Sequence, residues 1–205
     1  MTRYIGRDNV RKRLEPLAGA AGTTTYADGA ARIDGGGEAI TVRPAFGLAH
    51  EASYDEVVVA PLLAAVATDH VVGALLVRLG GYAVAVYDGE RIVASKVGSR
   101  FVKNRHKKGG SSANRFRRRR EEQAKDLLEE AAEVASRVLT PWRDRVEFVA
   151  FGGDRAAVDG TLAVRADLAW LRERAVDRFF DVPEPRQRVL ERFPYELYAV
   201  AVEES

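Results

Sequence analysis

Apolar residues along the chain change their spacing several times, and each change marks an element. Val10, Leu14 and Leu17 are spaced to share one face of a helix over Arg7–Leu17. Gly, Ala and Thr then dominate as far as Gly37, with turn signals at Asp28-Gly29 and Asp34-Gly35. Short strands at Thr23–Tyr26, Ala30–Ile33 and Ala39–Val42 fit around those turns. A polar connection from Ala45 to Glu56 leads to the apolar run Val57–Ala67. That run reads as a helix or a buried strand, because spacing alone does not separate the two.

The centre of the chain is clearer. Val71–Leu79, Tyr82–Tyr87 and Arg91–Val97 are apolar runs separated by Gly80-Gly81 and Asp88-Gly89, both hairpin signals. They predict an antiparallel meander. From Ser112 to Leu139 the residues are good helix formers without Pro or Gly, and Thr140-Pro141 ends the stretch. Leu128, Ala131, Ala132, Ala135, Val138 and Leu139 predict its buried stripe. Val146–Phe151 reads as a strand buried on both faces, Gly152-Gly153-Asp154 as a turn, and Arg155–Leu171 as helical. Tyr195–Val202 reads as a last strand. Strands that precede and follow helices predict an α/β (α+β layered) fold around one core.

Composition narrows the classes. A chain of 205 residues with 46% hydrophobic and 30% charged residues can bury a core and is not a disordered polymer. No apolar run reaches the ~20 residues of a membrane helix, and the N-terminus lacks the apolar stretch of a secretory signal. Cysteine is absent, which excludes disulfides, thiolate metal sites and cysteine nucleophiles. The expected compartment is the cytoplasm, with no membrane partner.

Charge changes the picture once it is placed along the chain. The net value is only +2, yet ten of the 32 Lys and Arg residues lie between Arg100 and Arg120, with no Asp or Glu among them. The rest of the chain carries 22 basic residues against 30 acidic ones. Such segregation marks a surface for a polyanion. Arg100, Lys103, Arg105, His106, Lys107, Lys108, Arg115, Arg117, Arg118, Arg119 and Arg120 are therefore the candidate RNA-binding residues. Gly109-Gly110 interrupts them and lets the main chain approach a substrate closely. Ser112 is placed to cap the long helix, whose N-terminus adds free N–H donors for an anion or oxyanion. Like charges at i,i+4 destabilise a helix, so a solvated connector is a poor account of this run.

These residues carry a resemblance. Gly109-Gly110-x-Ser112-Ala113-x-Arg115-Phe116-x-Arg118-x-Arg120-Glu121-Glu122, opening a long helix, resembles the central domain of the eukaryotic and archaeal class I translation termination factor. With Gly80–Gly89, Ala94–Phe101 and Gly152-Gly153-Asp154-Arg155, the chain is more similar to the bacterial branch of the Vms-like release factors. The resemblance implies a ribonuclease-H-like release-factor catalytic domain: a mixed sheet with flanking helices and a protruding basic Gly-Gly loop before the long helix. It implies a single domain over 1–205, with an N-terminal helix and small strands over 1–56 and an α/β core over 57–205 carrying the loop 99–111. It implies a peptidyl-tRNA hydrolase that frees nascent chains from stalled large ribosomal subunits. The partners implied are large-subunit rRNA and peptidyl-tRNA, engaged by a monomer that uses no cofactor and no metal.

One position departs from the pattern. The termination factors carry Gln directly after Gly-Gly, where this chain has Ser111. The expected catalytic set is Gly109, Gly110, Ser111, Ser112 and Asn114, with the Ser111 main-chain N–H and the Asn114 side chain in the role of the missing amide. The alternative is a catalytically silent ribosome- or tRNA-binding factor. A third reading, an RNA-binding module acting off the ribosome, fits the charge but not the glycines. Elsewhere His50, His70 and His106 lack metal-ligand spacing. Trp142, Trp170, Phe179 and Phe180 read as core, and Asp154 and Asp159 as turn or helix-cap residues.

Overall fold

The computed structural model describes residues 2–35, 37–99 and 112–204. They group into two compact units, one of residues 1–69 with 192–205 and the other of residues 70–191. The sequence reading divides the chain at residue 57 around one core. The contacts divide it at residue 70, and each unit has its own buried cluster.

The first unit is an antiparallel sheet. Its strands are β1 (Thr2–Ile5), β2 (Ala21–Ala27), β3 (Ala30–Gly35), β4 (Glu38–Arg43), β5 (Ala52–Glu56) and β11 (Val200–Glu204), in the order β1-β11-β4-β3-β2-β5. Helices α1 (Arg7–Leu14) and α2 (Ala60–Ala67) bury Val10, Leu14, Leu62 and Val66 in a cluster with Tyr26, Ile33, Val42 and Val202. The ambiguous Val57–Ala67 run is thus mainly α2, with Pro61 in its first turn, where a missing N–H costs nothing. The connection read as irregular contains β5. It is held to β2 partly by the buried Thr24, whose hydroxyl donates to Glu56 O at 3.0 Å and accepts from Val58 N at 3.0 Å.

The second unit holds the predicted meander, β6 (Val71–Arg78), β7 (Gly81–Asp88) and β8 (Arg91–Ser99). Strands β9 (Phe148–Gly153) and β10 (Ala175–Phe180) extend it to a mixed five-stranded sheet, β10-β9-β6-β7-β8, in which β9 runs parallel to β6 and β10 parallel to β9. Helix α3 (Ser112–Leu139) packs on β7 and β8, and α4 (Arg155–Val164) packs on β6, β9 and α3. The short α5 (Trp170–Glu173) precedes β10. This is the mixed sheet with flanking helices that the sequence predicts. At its centre Gly153 ends β9 at φ +100°, where a Cβ would overlap the Val77 carbonyl, and Asp154 N bonds that same oxygen at 2.8 Å. Asp154 then caps α4 by accepting from Ala156 N at 2.9 Å.

The predicted last strand begins too early. Tyr195–Leu197 belongs to helix α6 (Gln187–Leu197), which continues through Pro194. Proline has no N–H for the carbonyl four residues back, Leu190. The Tyr87 hydroxyl, in β7, donates to Leu190 O at 2.9 Å and takes the place of the missing donor. The predicted stripe on α3 is also rotated slightly. Leu127, Ala131, Ala132, Val134, Ala135 and Leu139 are buried, whereas Leu128 and Val138 lie half-buried at its rim.

Candidate nucleic-acid interface

The predicted site lies between the end of β8 and the first turns of α3. Arg100, Lys103, Arg105, His106, Lys107, Lys108, Gly109, Gly110 and Ser111 fall outside the described residues. Ser112 is already the first helical residue rather than the cap before it. Asn114, Arg115 and Arg117 follow on the helix backbone. Arg118 and Arg119 are exposed and Arg120 is half-buried.

None of residues 118–126 is buried; the first buried residue described on α3 is Leu127. At 1.5 Å per residue, Ser112 stands about 22 Å from Leu127 along the helix axis. The arginines lie on an outer half, here called the arm, in which no residue from Arg118 to Asp126 is buried and Arg120, Gln123 and Ala124 are half-buried, while the distal half of the same helix is buried on the sheet. Arm and anchor are one continuous element.

Charge over the first turns of α3, from Ser112 to Arg120, is of one sign. The first turn of α3 holds no acidic residue, and cations crowd the end where the helix dipole is positive. Further along the helix, Lys125 pairs with Glu129 at 3.6 Å. A bound polyanion would offset both the mutual repulsion and the dipole mismatch.

Where the arm leaves the sheet, Tyr82 is 1% exposed and its hydroxyl donates to Glu130 Oε1 at 2.9 Å. Burial, followed by that contact with a carboxylate, pushes the phenol up to about 12. Gly98 on β8 pairs with Tyr82, and a Cβ there would overlap the Tyr82 ring. Sequence reasoning missed this contact, although a glycine one residue before the strand's end was a signal of close approach.

The other candidates fall into place as structure. Trp170 and Phe180 are buried, and Trp142 and Phe179 pack half-buried against the core. Asp154 is a helix cap as expected, whereas Asp159 lies inside α4 and pairs with Arg172 at 2.9 Å. His50 contacts the Tyr54 hydroxyl at 2.9 Å, and His70 Nδ1 contacts Glu147 Oε2 at 2.8 Å. Although partial burial opposes it, the hydrogen bonds from His70 and Val71 N–H hold the Glu147 carboxyl below its ordinary value. Among the described residues no three metal-ligating side chains converge. A cleft of about 240 Å³ beside β10 is lined by Phe151, Arg155, Asp159, Arg172, Arg178 and Phe179. Its cations are engaged: Arg155 over Phe179 at 4.3 Å, Arg178 over Phe180 at 4.5 Å, and Arg172 on Asp159. No helix among the described residues is long and apolar enough to cross a membrane.

Comparison with known proteins bears on the same region. The crystal structure of an archaeal translation termination factor, aRF1, is similar over 91% of this chain and 68% of its own, with 12% identity and a TM-score of 0.45. The Vms1 mitochondrial localization core is similar over 95% of this chain and 80% of its own, with 13% identity and a TM-score of 0.43. No curated protein sequence matches. A family model described as the Actinobacteria/Chloroflexi VLRF1 release factor matches residues 70–203, which include the meander, the basic segment and all of α3. The chain belongs to that release-factor family.

Proposed function

We propose that this protein is a peptidyl-tRNA hydrolase that frees nascent chains from stalled large ribosomal subunits in the cytoplasm. The observation that carries the reading is the cationic outer half of α3, which buries no residue from Arg118 to Asp126 and is directly preceded in sequence by Gly109-Gly110-Ser111. Arg115 and Arg117–Arg120, with Arg100, Lys103, Arg105, His106, Lys107 and Lys108, neutralise rRNA and tRNA phosphates. Gly109 and Gly110 bring the main chain to the ester that joins the peptide to the terminal ribose of the tRNA.

Water adds to the ester carbonyl carbon, and the carbonyl oxygen becomes an oxyanion. The Ser111 N–H, the helix N-terminus at Ser112 and the Asn114 side chain donate to it. Collapse of the intermediate breaks the bond to the ribose oxygen, which takes up a proton. The products are a free peptide carboxylate and an intact tRNA 3′ end. Positioning is supplied largely by the ribosome. The protein acts as a monomer, and the chemistry as written uses no metal or cofactor.

A second reading is favoured by one residue. Ser111 stands where the termination factors have Gln, which fits a factor that binds the stalled complex without hydrolysing it. The deciding experiment is release of a labelled nascent peptide from purified large-subunit–peptidyl-tRNA complexes. Hydrolysis predicts release by the native chain, nearly full release by Ser111→Ala, and none by Gly110→Pro, whose ring fixes φ. Asn114→Ala should lose on the order of 10²–10³ in rate, as for one oxyanion donor. Tight binding without release above background would establish the silent factor instead.

A further inference from the structure

The direction in which the arm of α3 points is decided where it leaves the sheet. Glu130 lies one turn beyond Leu127, the first buried residue described on the helix. Its carboxylate accepts the Tyr82 hydroxyl from β7 at 2.9 Å. Gly98, the residue before the last one described on β8, pairs with Tyr82, leaving no room for a Cβ against the ring. Three elements, β7, β8 and α3, thus meet at one phenol. The phenol remains protonated through the physiological range, since it is pushed up to about 12, so it is a permanent donor.

We propose that Tyr82, Gly98 and Glu130 form a brace that fixes the direction of the arm and so act as positioning residues for its cationic contacts. The inference rests on the reading of the arm as the element that meets the stalled ribosome. A tilt of roughly 5° at the exit carries the arm's end roughly 2 Å sideways over its ~22 Å length. Displacements of about 1 Å in a reacting geometry cost as much as ~10²-fold in rate. Apolar packing of α3 resists lifting from the sheet but is non-directional about small rotations. A hydrogen bond with strict geometry resists those rotations.

The test uses the absence of cysteine from the sequence, which lets two introduced thiols be labelled uniquely. Ser95→Cys on β8 and Glu122→Cys on the arm are both at exposed positions and carry spin labels. Pulsed electron paramagnetic resonance should give a narrow distance distribution in the otherwise unaltered chain. Glu130→Ala and Tyr82→Phe should broaden or shift it by several Å, while Glu130→Gln, which still accepts from the hydroxyl, should restore it. In peptide release, Glu130→Ala should lower kcat/KM at least tenfold, and Glu130→Gln should rescue it. A distribution that is broad from the outset, or unmoved by Glu130→Ala, overturns the brace. If the native chain releases no peptide, the hydrolase reading falls, and the distance distributions still decide the brace by themselves.

Discussion

From Leu127 to Leu139, α3 buries Leu127, Ala131, Ala132, Val134, Ala135 and Leu139 against β7, β8 and α4. From Arg118 to Asp126, no residue of the same helix is buried. Backbone geometry and helix propensity are alike in the two halves; their side chains do opposite things. The inner half contributes apolar burial, the main favourable term in folding. The outer half places cations at the wrong end of the helix dipole and beside one another. A run of like charges that adds no buried residue to the core from Arg118 to Asp126 fits the proposed contact with a polyanion.

The largest effect should come from the outer half. Arg117–Arg120→Ala should weaken association with stalled large subunits by about 10²–10³-fold at moderate salt, and should flatten the log–log salt dependence by as much as ~0.9 per lost phosphate contact. Thermal unfolding should be unchanged or slightly later, because repulsion is removed. Unaltered affinity and slope would take the arm out of the interface. The inner half should behave in the reverse way. Leu127→Ala should destabilise the fold by about 2–5 kcal/mol in denaturant titration, as for a fully buried leucine. At temperatures where that variant remains folded, its ribosome affinity should match the native chain. A substantial loss of affinity would mean that the halves are not separable.

The division was readable in the sequence because it rests on charge and spacing. Arg117–Arg120 and the apolar stripe from Leu128 onward are visible without coordinates, and the bounds Ser112–Leu139 follow from the absence of Pro and Gly. The meander was equally legible through Gly80-Gly81 and Asp88-Gly89. Strands β1, β5 and β10 were not. Thr2–Ile5 and Ala52–Glu56 are short and largely exposed, and a bulge between Ala175 and Phe179 breaks the pairing of β10 with β9. Their pairing is decided by neighbours distant in sequence. The early start of the predicted last strand, at Tyr195, has a similar cause: α6 runs on through Pro194, whose cost is offset by the Tyr87 hydroxyl, more than a hundred residues away. The Tyr82–Glu130 contact is long-range too, and only Gly98 hinted at it.

The smallest effect concerns the inner half's polar edge. Ser136 on α3 donates to Asp167 Oδ2 at 2.7 Å, and Arg165 bonds the same carboxylate through both oxygens, at 2.9 and 3.0 Å. Arg165 first, and Ser136 second, hold the Asp167 carboxyl down at about 2. A carboxyl depressed on folding contributes stability that is present above its unfolded value, near 3.9, and lost as pH falls through the folded one. Carbon-13 titration of the side-chain carboxyl should therefore show Asp167 titrating near 2. Ser136→Ala should raise it while leaving it below the ordinary range, and Arg165→Ala should raise it further. The group is solvent-exposed, so screening keeps the effect on stability at pH 7 small, and any difference between Ser136→Ala and the native chain should vanish below about pH 2. An Asp167 that titrates at its ordinary value in the native chain would mean that α3 is held to this turn by apolar packing alone. The inner half would then have no polar counterpart to the brace at the arm's exit.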